Sequence, residues 1–342
     1  MKHSFKNDYA EGCHSNILKA LAETNNTQQN GYGQDEYCRK AEEIILRKIR
    51  KPESKVFFVS GGTQANLISI SAFLRTHESI VAAETGHIFT NETGAIEATG
   101  HKVHGVISED GKISTHDIQN ILDLHGNVPH QVKPKLVYIS NSTELGTIYS
   151  ARELSDLSDF CKQKNLLLFM DGARIGHALR AFGNDLSLEL IASKTDAFTI
   201  GGTKNGALLG EAIVINNPEL SVEFGFHIKQ KGGMLAKGRL LGLQFVELFK
   251  DDLYFDLADH ANKQAMRLKD VFQKIGCCFL TENLTNQIFP ILSPKQIEHL
   301  AEHFDFYVWK KIDENKSAIR IITSWATQED VVSLFAEKIN EL

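Results

Sequence analysis

Lys204 lies in the stretch DAFTIGGTKNGALLGEAIVI (196–215), where an apolar run at 197–200 meets Gly201-Gly202 and the lysine follows. A lysine at a glycine-rich strand end is anchored by the core while its amine faces a cleft. Desolvation there disfavours the ammonium form, which suits an amine that forms a Schiff base. The plain alternative is a solvated turn lysine. A P-loop does not fit, because GxxxxGK[ST] requires Ser or Thr where Asn205 stands. Upstream, a second apolar run at 166–170 leads directly into Asp171-Gly172-Ala173-Arg174. The everyday role for an Asp here is a helix N-cap, but that role leaves Arg174 and Lys204 without a purpose. A third segment, Phe57-Phe58-Val59-Ser60-Gly61-Gly62-Thr63-Gln64-Ala65-Asn66, reads as a strand, a glycine turn and a helix start. Backbone amides at such a start bind phosphate, helped by the helix dipole.

These three pieces suit one cofactor. An ionised carboxylate at a strand end, upstream of a Schiff-base lysine, is what pyridoxal 5'-phosphate (PLP) needs at its ring nitrogen; the protonated ring then draws electrons from a substrate Cα. Gly62, Thr63 and Thr203 are the candidates for its phosphate, with Lys204 and Asp171 holding the ring.

Ser60-Gly61-Gly62-Thr63-Gln64-Ala65-Asn66, His87, Asp171-Gly172-Ala173-Arg174, Gly201-Gly202-Thr203-Lys204-Asn205-Gly206 and Arg320 in AIRIITSWATQED together resemble the threonine aldolases. These belong to the fold-type-I, aspartate-aminotransferase-like PLP enzymes. The likeness is strongest to the low-specificity bacterial L-threonine aldolases and runs from Asn7-Asp8 to the last helix. It implies an α/β fold with a mostly parallel seven-stranded sheet and a smaller C-terminal α/β domain. The reaction it implies is cleavage of L-threonine, L-allo-threonine or a related β-hydroxy-α-amino acid to glycine and an aldehyde. His87, with Glu92 five residues on, resembles the family histidine stacked on the cofactor ring. Arg174 and Arg320 are candidates for a guanidinium grip on the substrate carboxylate. Asn7 stands where the family commonly has a serine contacting that carboxylate. Tyr32, in TNNTQQNGYGQDEY, resembles the loop that enters the neighbouring subunit's site, so a homodimer or homotetramer is expected. For the base that takes the β-hydroxyl proton, His130 is preferred to His87. Its spacing to the strand at 136–140 matches a family histidine, and a stacked His87 would present its face rather than a lone pair. The family also places basic residues after a GGGM-R segment; here, in IKQKGGMLAKG, Leu235 replaces the arginine and Lys229, Lys231 or Lys237 is available instead. A β-eliminating lyase or racemase would share this constellation, and a non-catalytic PLP-binding protein is the rival outside enzymes.

The composition agrees with such an enzyme. At 342 residues the chain can form a large and a small domain, and a formal net charge of −6 offers no basic footprint for nucleic acid. No apolar run is long enough to cross a bilayer, and MKHSFKNDYAEG lacks the apolar core of a signal peptide, so a cytoplasmic location is expected. The five cysteines show no zinc-ligand spacing and read as buried, reduced thiols; no metal is expected.

Helix and strand periodicities give the scaffold. A helix at 15–24 and an amphipathic one marked by Tyr37, Ala41, Ile45 and Ile49 precede alternating strands (56–60, 80–83, 103–107, 136–140, 166–170) and helices (from 63, 92–98, after 115, from 152). That alternation implies a parallel sheet covered on both faces, with ligands at its carboxyl edge. From Ser221 the alternation stops. Helices at 235–249 and 253–275 lead to strands at 288–292, 306–309 and 319–323, and a last helix starts at Thr327 with a near-capping box to Asp330. The expected boundaries are an arm at 1–14, a large domain at 15–240 and a small domain at 241–342.

Overall fold

In the computed structural model, which describes residues 2–341, the apolar runs become the strands of a seven-stranded sheet. Across the sheet the order is Lys55–Val59, Glu211–Ile215, Ala197–Gly201, Leu167–Asp171, Lys133–Ser140, Glu78–Ala83 and Val103–Val106. Neighbours are parallel except at Glu211–Ile215, which runs antiparallel to both its partners. Leu167–Asp171, Ala197–Gly201 and Glu211–Ile215 are buried along their whole length, as strands covered on both faces must be.

Strand alternation divides the interior into two layers. Val137, Ile139, Phe198 and Ile200 point into one, with Ile17, Ala41, Ile45, Phe245 and Tyr254 from the helices above. Leu136, Tyr138, Phe169 and Ala197 point into the other, against Ala65, Ile68, Phe73 and Phe224. Helices Thr115–Leu124 and Ala151–Gln163 start at reciprocal capping boxes, Ser114 with Asp117 and Ser150 with Glu153.

A third core holds the C-terminal part: Phe5, Leu268, Phe272, Ile288, Phe304, Ile319, Ile321 and Phe335. Its sheet pairs Ser317–Ile322 antiparallel with Ile291–Leu292, Tyr307–Lys311 and Gln287–Ile288. Two boundaries differ from those expected. The N-terminal arm is woven into this core: His3–Ser4 pairs with Phe304–Asp305 and Phe5 is wholly buried. Helix Arg239–Phe249, expected in the small domain from residue 241 on, instead buries Phe245, Val246 and Leu248 under the large sheet. Helix Leu253–Lys274 joins the two, with Leu257 in one core and Ala265 and Leu268 in the other.

Local expectations also shifted for physical reasons. The helix expected at 92–98 is reduced to a 3-10 turn at Glu97–Thr99, where positive-φ Thr93 and Gly94 interrupt the chain. The strand at 288–292 splits at Pro290, which lacks a ladder donor. The last helix begins at Glu329, because the Thr327 hydroxyl accepts from Ser324 N–H (2.7 Å) rather than capping a helix. Cys13, Cys38 and Cys161 are buried as expected, but Cys278 is exposed.

Candidate active site

Five chain segments reach the carboxyl edge of the sheet together: those following Val59, Ala83, Ser140, Asp171 and Gly201. Between them is a cleft of about 360 Å³ lined by Gly62, His87, Ser140, Glu144, Asp171, Arg174 and Lys204.

The glycines of DGAR and GGTKNG are forced by packing. A Cβ on Gly172 would lie 1.9 Å from the Thr199 carbonyl oxygen, and one on Gly201 within 2.4 Å of Ala173 O. The bare backbones touch: Gly201 N–H donates to Gly172 O (3.0 Å) and Gly172 N–H to Thr199 Oγ1 (2.8 Å). This contact brings the Asp171 and Lys204 loops into one cleft. Lys204 lies on the single turn Thr203–Asn205, pinned from behind by Asn205 Nδ2 donating to Tyr254 O (2.6 Å).

Asp171 is wrapped in donors. Its Oδ2 accepts from Tyr138 Oη (2.5 Å) and Asn66 Nδ2 (3.1 Å), and its Oδ1 from Ala173 N–H (2.8 Å). Burial pushes this carboxyl up, but the Tyr138 hydrogen bond, the Lys204 charge and the Asn66 amide outweigh it and hold it below its ordinary range. Lys204 moves the way its chemistry requires: burial, reinforced by the Arg174 charge, lowers its ammonium pKa against the pull of Asp8, Asp171 and Glu211. Glu211, on the neighbouring strand, is pushed up to about 8 by burial and the Asp171 charge.

Helix Gly62–Phe73 starts beside Lys204 with no side chain capping it; Gln64 instead accepts from Ser60 N–H and Oγ–H (3.0 and 2.9 Å). Ideal Cβ positions on Gly61 and Gly62 meet nothing within 4 Å. Open space in front of uncapped amides at a twelve-residue helix start fits a phosphate. Thr63 is exposed at that start, while the Thr203 hydroxyl accepts from Gly210 N–H (3.0 Å) and shapes its own loop. The donor-wrapped carboxylate, the amine-favouring lysine and this cradle fit PLP in size and charge.

His87 lines the cleft with Nδ1 2.9 Å from Glu92 Oε1, and Glu92 in turn accepts from Asn66 Nδ2 (2.8 Å). One buried asparagine therefore fixes both the histidine's orienting carboxylate and Asp171. Arg174 is largely committed within the chain: Nε and Nη2 donate to Asp8 Oδ2 and Oδ1 (2.7 and 3.0 Å), a bidentate pair with Asp8 wholly buried. Asn286 Nδ2 also donates to Asp8 (2.9 Å). Arg320 stacks on Trp309 and Tyr307 (4.6 and 5.4 Å from the ring centres), and its Nε is buried without a partner among the described residues. Asn7 Oδ1 accepts from Tyr9 N–H (3.0 Å) beside these arginines.

His130 does not join the cleft. It is exposed on the turn preceding Lys133–Ser140, at the amino end of that strand. Eight strand residues separate it from the carboxyl edge, roughly 26 Å at 3.3 Å per residue. Spacing to the strand fixes how near the histidine is to it, not which end of the sheet it occupies. Tyr32 is half exposed, with Lys229 Nζ 4.4 Å from its ring centre. It lines a separate cleft of about 850 Å³ with Cys38, Phe57 and Met234, and is not among the residues around Lys204. Asp8, Tyr138, Glu144 and Glu211 carry no local sequence signature, since each acquires its partner only through folding.

The fold and site define a PLP-type α/β enzyme, and the chain belongs to the beta-eliminating lyase family, whose model matches residues 8–294. Within it, the low specificity L-threonine aldolase of Pseudomonas aeruginosa is 32% identical over 339 residues, covering 98% of this chain and 96% of that one. A threonine aldolase from Leishmania major superposes with a TM-score of 0.97 at 46% identity, covering 99% of both chains. A Thermus thermophilus aspartate aminotransferase variant shares the fold, with a TM-score of 0.75 at 12% identity.

Proposed function

We propose that this protein is a PLP-dependent threonine aldolase, cleaving L-threonine or a related β-hydroxy-α-amino acid to glycine and an aldehyde. The observation that carries this reading is the opposition of Asp171 and Lys204 across one cleft. The first is held as a carboxylate by three donors, and the second is biased toward its free amine. Lys204 would hold the cofactor covalently, Asp171 its ring nitrogen, and the amides of Gly62 and Thr63 its phosphate. PLP, when bound, supplies an electron-withdrawing ring that accepts the electrons of the breaking Cα–Cβ bond.

The remaining residues bind and orient. Arg320, with its partnerless Nε and its aromatic backing, is the principal grip for the substrate carboxylate. Arg174, fixed by Asp8, adds charge and the donors that the pair leaves over. Holding that carboxylate sets which Cα bond stands perpendicular to the ring, and so which bond breaks. His87, steadied by Glu92, takes the ring-facing role. Tyr32, which lines a cleft separate from the one around Lys204, suits a site completed by the partner subunit, so the active form is at least a dimer. Five thiols without a disulfide suit a cytosolic setting.

Product analysis tests the reading. Reconstituted with PLP and given L-threonine, the protein should release acetaldehyde and glycine in equal amounts. Formation of 2-oxobutanoate and ammonia, or of D-allo-threonine alone, would assign it instead to elimination or racemisation.

A further inference from the structure

Aldol cleavage requires a group to receive the β-hydroxyl proton, and His130 lies at the amino end of its strand, away from the cleft. Of the two carboxylates lining the cleft, Asp171 has both oxygens engaged by donors. Glu144 differs. Its Oε1 accepts from His87 N–H (2.9 Å) and Ser140 Oγ–H (2.8 Å), which fixes the side chain from one side. Its Oε2 is shielded from solvent and has no partner among the described residues. A buried carboxylate oxygen left without a donor is costly unless a ligand supplies one. Glu144 stands at the carboxyl edge, in the loop after Lys133–Ser140, and shares the cleft with Lys204 and Arg174.

We propose that Glu144 is the proton acceptor in the cleavage, its Oε2 receiving the hydroxyl proton of the substrate Cβ. This role rests on the aldolase reading. The substrate O–H bond breaks and its proton passes to Glu144. The freed electron pair forms the aldehyde C=O, and the Cα–Cβ pair moves onto Cα. Glu144 then releases the proton to solvent before the next turnover, and Cα takes its proton from another donor in the cleft.

The electrostatics of the cleft agree. Burial raises the Glu144 carboxyl, the Ser140 hydroxyl offsets part of this, the Asp171 charge adds to it and His87 opposes it. Tyr138, Tyr149 and Arg174 are the other titratable or charged groups that feel it. A carboxylate raised toward neutrality is a better base than an ordinary one.

The test compares wild-type holoenzyme with Glu144→Gln in two reactions. Aldehyde release from L-threonine needs the acceptor; exchange of a glycine Cα hydrogen with deuterated water involves no β-hydroxyl. Glu144→Gln should lose about 10²–10⁴-fold in threonine turnover, keep glycine exchange near the wild-type rate, and lose the limb along which kcat/KM rises with pH. In the cofactor-free protein, a protonated-carboxyl infrared band absent from Glu144→Gln should fade only above the ordinary carboxyl range. Glu144→Asp, which keeps the charge but withdraws it, should slow cleavage and spare exchange; it serves if the glutamine variant folds poorly. Equal losses in both reactions would make Glu144 a structural support, and unchanged cleavage would pass the acceptor role to His87; either overturns the proposal. Wild-type protein that frees no aldehyde would overturn the aldolase reading and this role with it.

Discussion

Asp8 governs how the substrate-side arginines behave. It is wholly buried, holds Arg174 through two hydrogen bonds, and takes a third from Asn286. Burial pushes its carboxyl up, but Arg174 and Lys204 outweigh that and hold it far below the usual range. Breaking a buried pair by removing one partner leaves an uncompensated charge, which costs about 3–5 kcal/mol. Asp8→Ala should therefore lower the unfolding free energy by that order in denaturant titration, and weaken substrate binding because Arg174 is no longer fixed. The sequence displayed Lys204, Asp171 and Gly62 because each carries a local signature: a strand end, a glycine turn, a helix start. It did not display Asp8 or Glu144. Asp8 meets Arg174 across 166 residues, and Glu144 looks like a surface glutamate until Ser140 and the His87 amide turn it inward. His130 misled because residue spacing says how far a side chain is from a strand but not which end of the sheet it occupies.

Two loops held in backbone contact make the site, and glycine permits the contact. The strands Leu167–Asp171 and Ala197–Gly201 pair over only two residues, Phe169 with Ala197 and Met170 with Phe198. Beyond them, Gly172 and Gly201 continue the contact through a backbone hydrogen bond. A methyl on Gly172 would lie 1.9 Å from Thr199 O, so the loops must separate. Overpacking of this kind costs roughly 1–3 kcal/mol. Gly172→Ala should unfold more easily and lose PLP affinity, measured by equilibrium dialysis. Gly12→Ala, whose Cβ would meet nothing within 4 Å, should stay within about 0.5 kcal/mol of wild type. The sheet strands were readable as apolar runs flanked by turn residues, and the helix Ser15–Thr24 appeared at its expected bounds. The small-domain boundary was not readable, because Arg239–Phe249 is apolar enough for either core and only packing decides between them.

At the scale of the whole molecule, Tyr32 lines a cleft separate from the one around Lys204, and the dimer proposed above can be tested through it. Lys204→Ala and Tyr32→Ala should each be nearly inactive as pure oligomers. Mixed after dissociation and reassociation, they should regain about a quarter of wild-type activity, since half of randomly formed dimers carry one intact site. No recovery in verified hybrids would place Tyr32 outside the partner's site. The N-terminal strand adds a link within the chain: Phe5 is buried in the small-domain core while Asp8, three residues on, clamps Arg174 of the large domain. Movement of the small domain would therefore be felt at Arg174 directly.

In the proposed function Lys204 carries the cofactor. Incubation with PLP, reduction with borohydride and peptide mass spectrometry would locate it most directly. The expected result is one phosphopyridoxyl adduct per chain, on Lys204, absent from Lys204→Ala even though that variant remains folded. An adduct at Lys229, Lys231 or Lys237 with Lys204 unmodified would contradict it.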